Sequence, residues 1–517
     1  MIASLLRPDA YDHPVQQVQL LETHISWILL TGSFAYKLRK PLNLGFVDQS
    51  TPERRRHGAE EELRLNRRLC PDLYLGLRPV YGPVEQASLR PRPGEAVIDV
   101  AVQMQQFDQA DLLSHRLAGG SLPPVAWHAF ADRLARFHGQ AAVAAAADPW
   151  GDPARVLAPA LANLEVLAAL PAPPPQLPSL QRWTAAEHGR LQPLLEQRRR
   201  QGRVREGHGD LHLGNLVWRH ERIEAFDCLE FSEALRWIDV ISDVAFLAMD
   251  LCHQGHPRTA ASLLNHWLLR SGDHLGLATW RWYAAYRALV RAKVSGLRLM
   301  QMAADAPGHG AVAAAVGAYT GLAEALAGAP VGPLLISHGV SGTGKSWLSA
   351  GLCERLGWIH LRADGERRRL FGDWGELSHG APRRGDPYSP AVTEDLYLQL
   401  LPALATAVVQ AGFGVIVDAT FLRAHHRRRL ADVAAATGSP FLILDLQRMA
   451  AGAAGRIAER RLVGIDPSQA DERVLASQLD RIEPLSATDQ RWRVGVESRN
   501  ESARDRFAVG REGRRQR

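Results

Sequence analysis

Three oxygen-bearing side chains follow one another at short spacing near the middle of the chain. Asp210 lies within the segment HGDLHLGN, Asn215 ends that segment, and Asp227 ends the strand-like segment IEAFD. A hydroxyl group that attacks a γ-phosphate needs a carboxylate to accept its proton, and Mg²⁺ on the phosphates needs carboxylate and amide oxygens as ligands. The spacing therefore predicts Asp210 as a general base and Asn215 and Asp227 as Mg²⁺ ligands.

A glycine-rich segment farther along has the spacing of a phosphate-binding loop. Residues 339–346 (GVSGTGKS) satisfy G-x-x-x-x-G-K-S and lie between an apolar strand-like segment and a helical one. Glycines let backbone N–H groups turn toward phosphates, the lysine amine reaches the terminal phosphates, and the serine hydroxyl binds Mg²⁺. The predicted ATP-binding residues are Gly339, Ser341, Gly342, Thr343, Gly344, Lys345 and Ser346, the last also as a Mg²⁺ ligand.

Four charged residues after this loop extend the predicted site. Asp418 ends the apolar segment GVIVD, so its carboxylate should emerge beside the phosphate loop, where it could hold Mg²⁺. Asp364 follows the segment WIHLRA and is placed to accept a proton from an acceptor hydroxyl. Arg456 and Arg460 lie four residues apart on one helix face. We expect them to form a lid over the transferring phosphoryl group, and a solvated helix face is the alternative.

The C-terminal part resembles the small P-loop kinases of the AAA_33 or zeta-toxin/polynucleotide-kinase-like group. The likeness covers residues 334–485, and it lies in GVSGTGKS, in LRAD with ERRRL, in GVIVDATF and in RIAERR. The resemblance implies phosphate binding by Gly344, Lys345 and Ser346, a base at Asp364 and a Mg²⁺-associated acid at Asp418. It also implies the lid role of the two arginines.

The N-terminal part is similar to the aminoglycoside phosphotransferase and choline kinase superfamily, and within it to bifunctional aminoglycoside phosphotransferase/ATP-binding proteins. The likeness lies in HGDLHLGN, ETHISWILLTGSFAYKLRKPLNLGFVD, EEELRLNRRL, DCLEF and RWIDVISDVAFL. The resemblance implies that Lys37 contacts the phosphates of ATP and that Glu62 is its partner on a helix. Lys40 stays open as an alternative to Lys37, and Glu60 and Glu61 stay open as alternatives to Glu62.

The catalytic segment departs from the protein-kinase pattern at two places. Gly209 replaces the arginine of H-R-D, and Cys228 and Leu229 replace the Phe-Gly of D-F-G. These changes disfavour a protein kinase that is controlled through an arginine and an activation loop. Asp239 and Asp243, four residues apart, are expected to brace the catalytic loop or to cap a helix.

The periodicity of apolar residues predicts two folds that would position these side chains. Residues 24–31 and 34–40 predict a hairpin, and residues 51–69 predict a helix. After a Pro/Gly-containing joint at 328–333, short apolar strands alternate with helices, which is typical of a parallel sheet with helices on both faces. The predicted fold class is an α+β protein-kinase-like domain followed by an α/β P-loop NTPase domain.

The composition bounds the domains and the compartment. We expect domains at 1–328 and 329–500 and a basic, disordered tail at 501–517. The four cysteines form no CxxC pair, and the neighbouring Cys252, His253 and His256 lack the full ligand set of a structural zinc site. No segment approaches the roughly 18–20 apolar residues of a membrane helix, and the first residues lack a signal-peptide layout. We therefore expect a cytoplasmic protein without a membrane partner.

The charge is weak evidence for a nucleic-acid partner. The net charge of +6 is spread over 517 residues, and only four of the 61 basic residues are lysines. We expect an ATP- and Mg²⁺-dependent enzyme with two kinase modules, each of which phosphorylates a hydroxyl of a small molecule. Two alternatives stay open: phosphorylation of nucleic-acid ends, which requires an arginine groove leading to Asp364, and nucleotide sensing by one module that regulates the other. The sequence predicts no oligomeric state.

Overall fold

The structure is a computed structural model of the chain. It describes residues 1–43, 45, 47–92, 94–120, 122–303, 305–328, 330–377, 382–446 and 472–495. The predicted lid residues Arg456 and Arg460 and the predicted basic tail therefore lie outside the described residues. The chain divides into two compact units. The first unit comprises residues 1–126, 141–151 and 202–243, and the second comprises residues 127–140, 152–201 and 244–517.

The first unit contains an antiparallel sheet with one long helix. In the described residues, the sheet has the strand order β1-β2-β3-β5-β4. Its strands are β1 (Gln19–Glu22), β2 (Ser26–Leu30), β3 (Phe34–Arg39), β4 (Tyr74–Tyr81) and β5 (Val97–Gln105). β2 and β3 form the predicted hairpin, and Gly32 has the positive φ of 95° that its turn requires.

The helix of the first unit begins and packs as the sequence predicts. α2 (Pro52–Asn66) follows α1 (Ile2–Leu5), and it starts with a proline after Thr51, whose side chain accepts a hydrogen bond from the Arg54 N–H. Ala59 and Leu65 are buried on the face that packs on β5. Glu62 lies buried on the same helix, so a carboxylate faces the apolar sheet and needs a cation partner.

Short strands in the rest of the first unit carry the catalytic segment. They are β6 (Val204–Glu206), β7 (Leu216–Arg219), β8 (Arg222–Ala225) and β9 (Trp237–Asp239). β7 pairs with β8 and β6 pairs with β9, both antiparallel. The short helices α3 (Leu113–Arg116) and α7 (Glu233–Arg236) complete this unit. β8 ends two residues before Asp227, so the prediction that this residue ends the strand is wrong.

The second unit begins with a helical part. Its helices are α4 (Pro124–Gln140), α5 (Pro153–Ala168), α6 (Leu177–Arg200), α8 (Val240–His253), α9 (Pro257–Ser271), α10 (Leu277–Gln301) and α11 (His309–Ala327). α4 and α8 begin within the first unit. α10 is buried along much of its length, with Trp282 and Tyr283 among its core residues. Arg198 and Asp273 form a buried ion pair at 2.7 Å that joins α6 to the turn after α9.

The P-loop part of the second unit is an α/β sandwich around a parallel sheet. Its strands are β10 (Leu334–His338), β11 (Ile359–Arg362), β12 (Val415–Asp418), β13 (Phe441–Asp445) and β14 (Arg493–Gly495). In the described residues, they lie in the order β11-β12-β10-β13-β14, and all pairs are parallel. β10 is buried at every position, as expected for a strand covered on both faces.

The helices of this part alternate with the strands. They are α12 (Lys345–Leu356), α13 (Ala363–Leu370), α14 (Pro390–Asp395), α15 (Leu401–Gln410), α16 (Ala424–Thr437), α17 (Glu472–Asp480) and α18 (Ala487–Gln490). A π-helical turn, Leu396–Leu400, joins α14 to α15. The predicted fold class is confirmed: an α+β protein-kinase-like fold is followed by an α/β P-loop NTPase fold.

The helical part and the P-loop part pack against each other within the second unit. Asn265 of α9 donates to the Trp358 carbonyl at 2.8 Å and accepts from the His360 N–H at 2.7 Å, so it covers the edge strand β11. Trp280 of α10 packs edge-on against Phe413. The compact units therefore do not divide at the joint near residue 328, because polar and aromatic contacts join residues on both sides of it.

Two helices meet the length and composition of a membrane span. They are His309–Ala327 and the continuous segment Pro390–Gln410, with 22% and 44% of their apolar windows buried. Neither helix is an uninterrupted apolar stretch of that length, because polar and charged residues lie within both of them. Core helices of soluble proteins meet the same criterion, so these two helices are weak evidence for a membrane.

Candidate functional site

The first candidate site is built around a lysine that is held by two carboxylates. Lys37 Nζ lies 2.8 Å from Glu62 Oε1 and 2.7 Å from Asp227 Oδ1. Burial lowers the pKa of Lys37, but the charges of Asp227 and Glu62 outweigh burial and raise the pKa above its ordinary value. Lys40 instead pairs with Glu22 at the surface. The structure thus brings Lys37, and not Lys40, to the buried Glu62.

A second cation, Arg39, holds the same buried carboxylate. Its Nη2 lies 2.6 Å from Glu62 Oε2, and its Nη1 lies 2.6 Å from Glu230 Oε1. All three side chains are buried. Lys37, Glu62, Arg39 and Glu230 therefore form a chain of ion pairs that runs from β3 through α2 to the segment after Asp227. This chain fixes Glu62 from two sides, so its position does not depend on Lys37 alone.

Removal of Arg39 is expected to destabilise the first unit strongly. In Arg39→Ala, Glu62 and Glu230 lose their shared cation inside the protein, and breaking a buried ion pair costs about 3–5 kcal/mol. Hydrogen exchange of the β3 and β5 amides measures this loss. Arg54→Ala on α2, the helix that carries Glu62, is the matched control, because its partner Asp48 is a surface residue and the pair is solvent-exposed. Equal protection in the two variants would contradict the prediction.

A polar cavity of about 710 Å³ adjoins this chain of ion pairs. It is lined by α2, by the loop before α2 and by the segment after Asp227, with Arg39, Glu61, Glu230, Phe231 and Arg236 among its residues. Asp210 and Asp227 are not among the residues that line it. This cavity is therefore separate from the carboxylates predicted to act in phosphoryl transfer.

The predicted base and its amide neighbour lie together in the catalytic loop. Asn215 Nδ2 donates to Asp210 Oδ2 and to the Asp210 carbonyl, each at 3.0 Å. His212 Nε2 lies 3.4 Å from the same carboxylate oxygen, and its Nδ1 accepts from the Gly214 N–H at 3.0 Å. The Asp210 side chain remains 31% exposed. The loop thus orients the Asp210 carboxylate, which is within reach of solvent, against the buried Asn215 amide.

Asp243 holds the start of this loop. Its two carboxylate oxygens accept from the His208 N–H at 2.7 Å and the Gly209 N–H at 2.9 Å. Gly209 has a φ of 84°, and a Cβ there would lie 2.8 Å from the Leu235 carbonyl oxygen. The bracing role expected for Asp243 is therefore observed, and the arginine of the protein-kinase pattern is absent from a position where only glycine fits.

Asp227 has a backbone conformation that is unusual for its residue type. Its φ is 61°, and its N–H donates to the Tyr74 hydroxyl at 3.3 Å. The next N–H, of Cys228, donates to Asn66 Oδ1 on α2 at 2.9 Å. A non-glycine residue at positive φ is strained and persists where surrounding contacts hold it. These contacts turn the Asp227 carboxylate, 42% exposed, toward Lys37.

The second candidate site is the loop between β10 and α12. Gly339, Gly342 and Gly344 have positive φ values of 139°, 80° and 87°, which turn backbone N–H groups into the loop. Lys345 Nζ donates to the Val340 carbonyl at 2.7 Å, so the amine folds over the loop. The Ser341 N–H donates to Gln478 Oε1 of α17 at 2.7 Å. An uncharged oxygen thus binds one of the N–H groups predicted to bind phosphate.

Asp418 lies at the carboxyl end of β12 next to this loop. The Ser337 hydroxyl lies 3.4 Å from its Oδ1, and His360 Nε2 lies 3.0 Å from its Oδ2. Burial would raise the pKa of Asp418, but the hydrogen bond and charge of His360, with smaller contributions from Arg362 and Ser346, hold the pKa below its ordinary value. The structure therefore places the two predicted Mg²⁺ ligands, Ser346 and Asp418, near each other.

This lowered pKa predicts an acid-dependent loss of stability. The ionised Asp418 contributes its full stabilisation above the ordinary carboxyl pKa of 3.8, and the contribution is lost as the pH falls through the lowered value. Between about pH 5 and about pH 3, the urea midpoint of the P-loop part should fall more steeply in the wild type than in Asp418→Asn. Parallel midpoint curves for the two proteins would contradict this expectation.

Asp364 and the neighbouring arginines lie on α13. Asp364 is in its first turn and half-buried. Arg367 contacts the Pro387 carbonyl and stacks over Tyr388, and Arg368 stacks over Trp374. Arg362 lies opposite Asp418 in the sheet register. These guanidinium groups thus make contacts within the protein. In the described residues, no hydrogen bond or ion pair connects Asp364 to the phosphate loop.

The sequence analysis missed four residues that the geometry brings into the sites. In the first site, Arg39 binds both Glu62 and Glu230. In the second site, His360 contacts Asp418 and Gln478 contacts the phosphate loop. Arg39 could have been found, because it lies two residues after Lys37 and thus on the same face of β3. Nothing in the sequence around Gln478 indicates its contact.

Comparisons with known sequences agree with the C-terminal prediction. A profile of the family AAA_33, described as AAA domain, matches residues 334–485. The predicted likeness of that segment to this family is therefore confirmed. The protein Rv2004c of Mycobacterium tuberculosis is 32% identical to the chain over 444 residues, which covers 81% of this chain and 83% of that protein.

Two solved structures are similar to parts of the chain. A choline/ethanolamine kinase family protein from Mesorhizobium loti shares 12% identity, with a TM-score of 0.36, and covers 62% of this chain and 90% of its own. The APS kinase CysC of Mycobacterium tuberculosis, in complex with AMPPNP and APS, shares 20% identity, with a TM-score of 0.25, and covers 35% of this chain and 99% of its own.

Proposed function

The chain belongs to the same family as the mycobacterial protein Rv2004c, and we propose that it is an ATP- and Mg²⁺-dependent phosphotransferase with two active sites. The observation that carries the proposal is the Lys37–Glu62–Asp227 cluster in the first unit, together with the Lys345, Ser346 and Asp418 group in the second. The first group joins a cation to two carboxylates. In the second, Lys345 and Ser346 are consecutive residues of the phosphate loop, and Asp418 ends the strand next to β10, so both groups offer the cation and the oxygens that a nucleotide's phosphates and Mg²⁺ require.

The residues of the first site fit a nucleotide and a divalent ion. Lys37 is held between two carboxylates, so a phosphate oxygen could replace one of them without leaving the amine unpaired. Asp227 and Asn215 supply the carboxylate and amide oxygens that Mg²⁺ prefers. When bound, Mg²⁺ neutralises charge on the phosphates. Asp227 is exposed enough to exchange its contact with Lys37 for a metal ion.

Asp210 would act as the general base of the first site. The acceptor oxygen forms a bond to the γ-phosphorus while the bond from that phosphorus to the β–γ bridging oxygen breaks, and ADP leaves. The acceptor proton passes to Asp210, whose carboxylate is oriented by Asn215. Asp243 keeps the loop in place through its two backbone hydrogen bonds. Lys37 positions the phosphates, and Glu62 positions Lys37.

The residues of the second site fit the same pair of ligands. The loop glycines leave backbone N–H groups for phosphate, and α12 begins at Lys345, so its positive dipole end faces the loop. Lys345 would exchange its bond with the Val340 carbonyl for phosphate oxygens, and Ser346 and Asp418 would hold Mg²⁺ directly or through water. We assign the acceptor-side base to Asp364, and lid roles to Arg456 and Arg460.

The acceptors are small molecules with hydroxyl groups. The resemblance of the first unit to aminoglycoside phosphotransferases supports aminoglycosides and other amino alcohols as the first compounds to test. We further infer a cytoplasmic enzyme, because the four cysteines form no disulfide, as is usual in a reducing compartment. The internal contacts of Arg367 and Arg368 do not favour an arginine groove for nucleic acid.

The proposal is tested by a screen of acceptors with radiolabelled ATP. The full chain is incubated with [γ-³²P]ATP, Mg²⁺ and a panel of sugars, amino alcohols and nucleosides, and labelled products are separated. Two products are expected, one lost in Asp210→Asn and the other lost in Lys345→Met. If neither variant reduces any labelled product that the wild type makes, the two-site proposal is wrong.

A further inference from the structure

Three side chains on α14 and α16 could hold a metal ion, and neither proposed active site uses them. α14 supplies Glu394, and the first turn of α16 supplies His425 and His426. His425 Nε2 lies 3.1 Å from Glu394 Oε2, and His426 Nε2 lies 3.2 Å from Glu394 Oε1. The candidate ligand atoms of all three residues lie within 4.8 Å of one another.

The spacing of these atoms matches a tetrahedral ion. Zn²⁺ binds imidazole nitrogen and carboxylate oxygen at about 2.0–2.2 Å, so neighbouring ligand atoms of a tetrahedral site are about 3.4 Å apart. Each histidine nitrogen lies about that far from a different oxygen of Glu394, and the three candidate ligand atoms lie within 4.8 Å of one another, so small side-chain rotations would bring them to the tetrahedral spacing. Two imidazoles and a carboxylate suit Zn²⁺ and similar transition ions, whereas Mg²⁺ prefers oxygen ligands alone.

One of the three ligands is held in place by packing. The His426 side chain is 5% exposed, and its ring stacks on Tyr397 with centroids 4.5 Å apart. The Tyr397 hydroxyl in turn hydrogen-bonds to Thr420 Oγ1 at 3.0 Å. The ring orientation is therefore fixed before an ion binds, which lowers the entropy lost on binding.

The other two ligands leave one side of the cluster open to solvent. Glu394 and His425 are 45% and 47% exposed. Three protein ligands with an open position are typical of zinc sites that keep a water molecule as the fourth ligand. In the described residues, no such group is formed by Cys252, His253 and His256, which are near one another in the sequence. His253 stacks on Tyr319 instead.

We propose that Glu394, His425 and His426 bind one Zn²⁺ ion, with water as the fourth ligand. The ion ties α14 to α16. Tyr397 connects the site to Thr420, two residues after Asp418, so the bound ion steadies the segment that follows β12. This site goes beyond the proposed phosphoryl transfer, because Mg²⁺ and ATP are bound by other residues.

The experiment is a Zn²⁺ titration of the full chain by calorimetry, in excess Mg²⁺ so that the oxygen-rich sites are occupied. One ion per chain is expected. The double variant His425→Ala/His426→Ala should bind Zn²⁺ more than about 100-fold more weakly, since the loss of an outer partner of a metal ligand alone costs about 10- to 100-fold. Asp395→Asn is the matched control, because this exposed neighbour of Glu394 pairs with Arg383, and its affinity should equal that of the wild type.

A second measurement separates a formed site from loose binding by histidines. Co²⁺ bound in the site should give the intense visible absorption of four-coordinate cobalt in the wild type and in Asp395→Asn, and not in the double variant or in Glu394→Gln. The proposal is overturned if the double variant binds Zn²⁺ as tightly as the wild type, or if the cobalt spectrum is that of a six-coordinate ion. Circular dichroism checks that each variant is folded. Because Glu394 is exposed, Glu394→Gln tests the site while leaving the packed ring of His426 intact.

Discussion

In Asp210→Asn, phosphoryl transfer at the first site is expected to fall about 10²- to 10⁴-fold in kcat, the usual contribution of a general base. The asparagine keeps the shape of the side chain, and its oxygen can still accept from Asn215 Nδ2. It cannot take up the acceptor proton. The KM for ATP should stay near the wild-type value, because the proposal places Asp210 at the acceptor and assigns nucleotide binding to Lys37 and Asp227.

Two comparisons make this result specific to the first site. Asp111→Asn removes an exposed carboxylate of the same unit that pairs with Arg116 at 2.8 Å, and it should leave kcat unchanged. The product of the P-loop site should also form at the wild-type rate in Asp210→Asn. Steady-state rates of both labelled products measure these effects. If kcat for the first product stays within a few-fold of the wild type, Asp210 is not the base.

Lys345→Met should abolish the second product while leaving the first intact. The amine would bind the terminal phosphates as charge develops on them, and removal of one such contact costs about 10²- to 10³-fold in kcat. Methionine fills the volume of the lysine side chain, which is only 8% exposed, so the variant tests the charge rather than the packing. The loss should appear in kcat/KM for ATP at this site.

The scarcity of lysine offers a matched control for this variant. Lys293 is another of the four lysines and lies on α10, in the helical part of the second unit. Lys293→Met removes the same charge without touching either proposed site, and both products should form at wild-type rates. Equal rates of the second product in Lys345→Met and Lys293→Met would show that the phosphate loop does not act in transfer.

Local sequence patterns predicted the strands and loops that carry the sites. The run LLISH before GVSGTGKS and the run VIVD before Ala419 are buried strands, as their apolar residues indicate. The hairpin around Gly32 and the helix after Thr51 follow from turn and capping residues close in sequence. Such elements can be predicted from the sequence because the interactions that define them connect residues only a few positions apart.

Contacts between segments that are distant in sequence could not be predicted. Glu62 was only one of three adjacent acids, and its burial results from Arg39 and Lys37 on a strand 23 and 25 residues away. His360 meets Asp418 across 58 residues, and Gln478 meets Ser341 across 137. Pro159 lies inside α5, where the local sequence alone argues against a helix. A single sequence contains no signal for these pairings, since they depend on how the segments pack.

The two proposed sites would bind phosphate groups with different structural elements. In the first, a lysine on an antiparallel strand is held by buried carboxylates, and Arg39 and Glu230 fix those carboxylates. In the second, glycines at positive φ and the start of α12 supply backbone dipoles, and one lysine adds charge. The first site therefore depends on buried ion pairs, whereas the second depends on backbone conformation.

The number of nucleotide sites per chain tests the central claim most directly. Equilibrium binding of a non-hydrolysable ATP analogue in excess Mg²⁺ should give two molecules per wild-type chain, one in Asp227→Asn, one in Lys345→Met and none in the double variant. A single bound molecule per wild-type chain, or two bound molecules in either single variant, would contradict the account of two independent phosphate-binding sites.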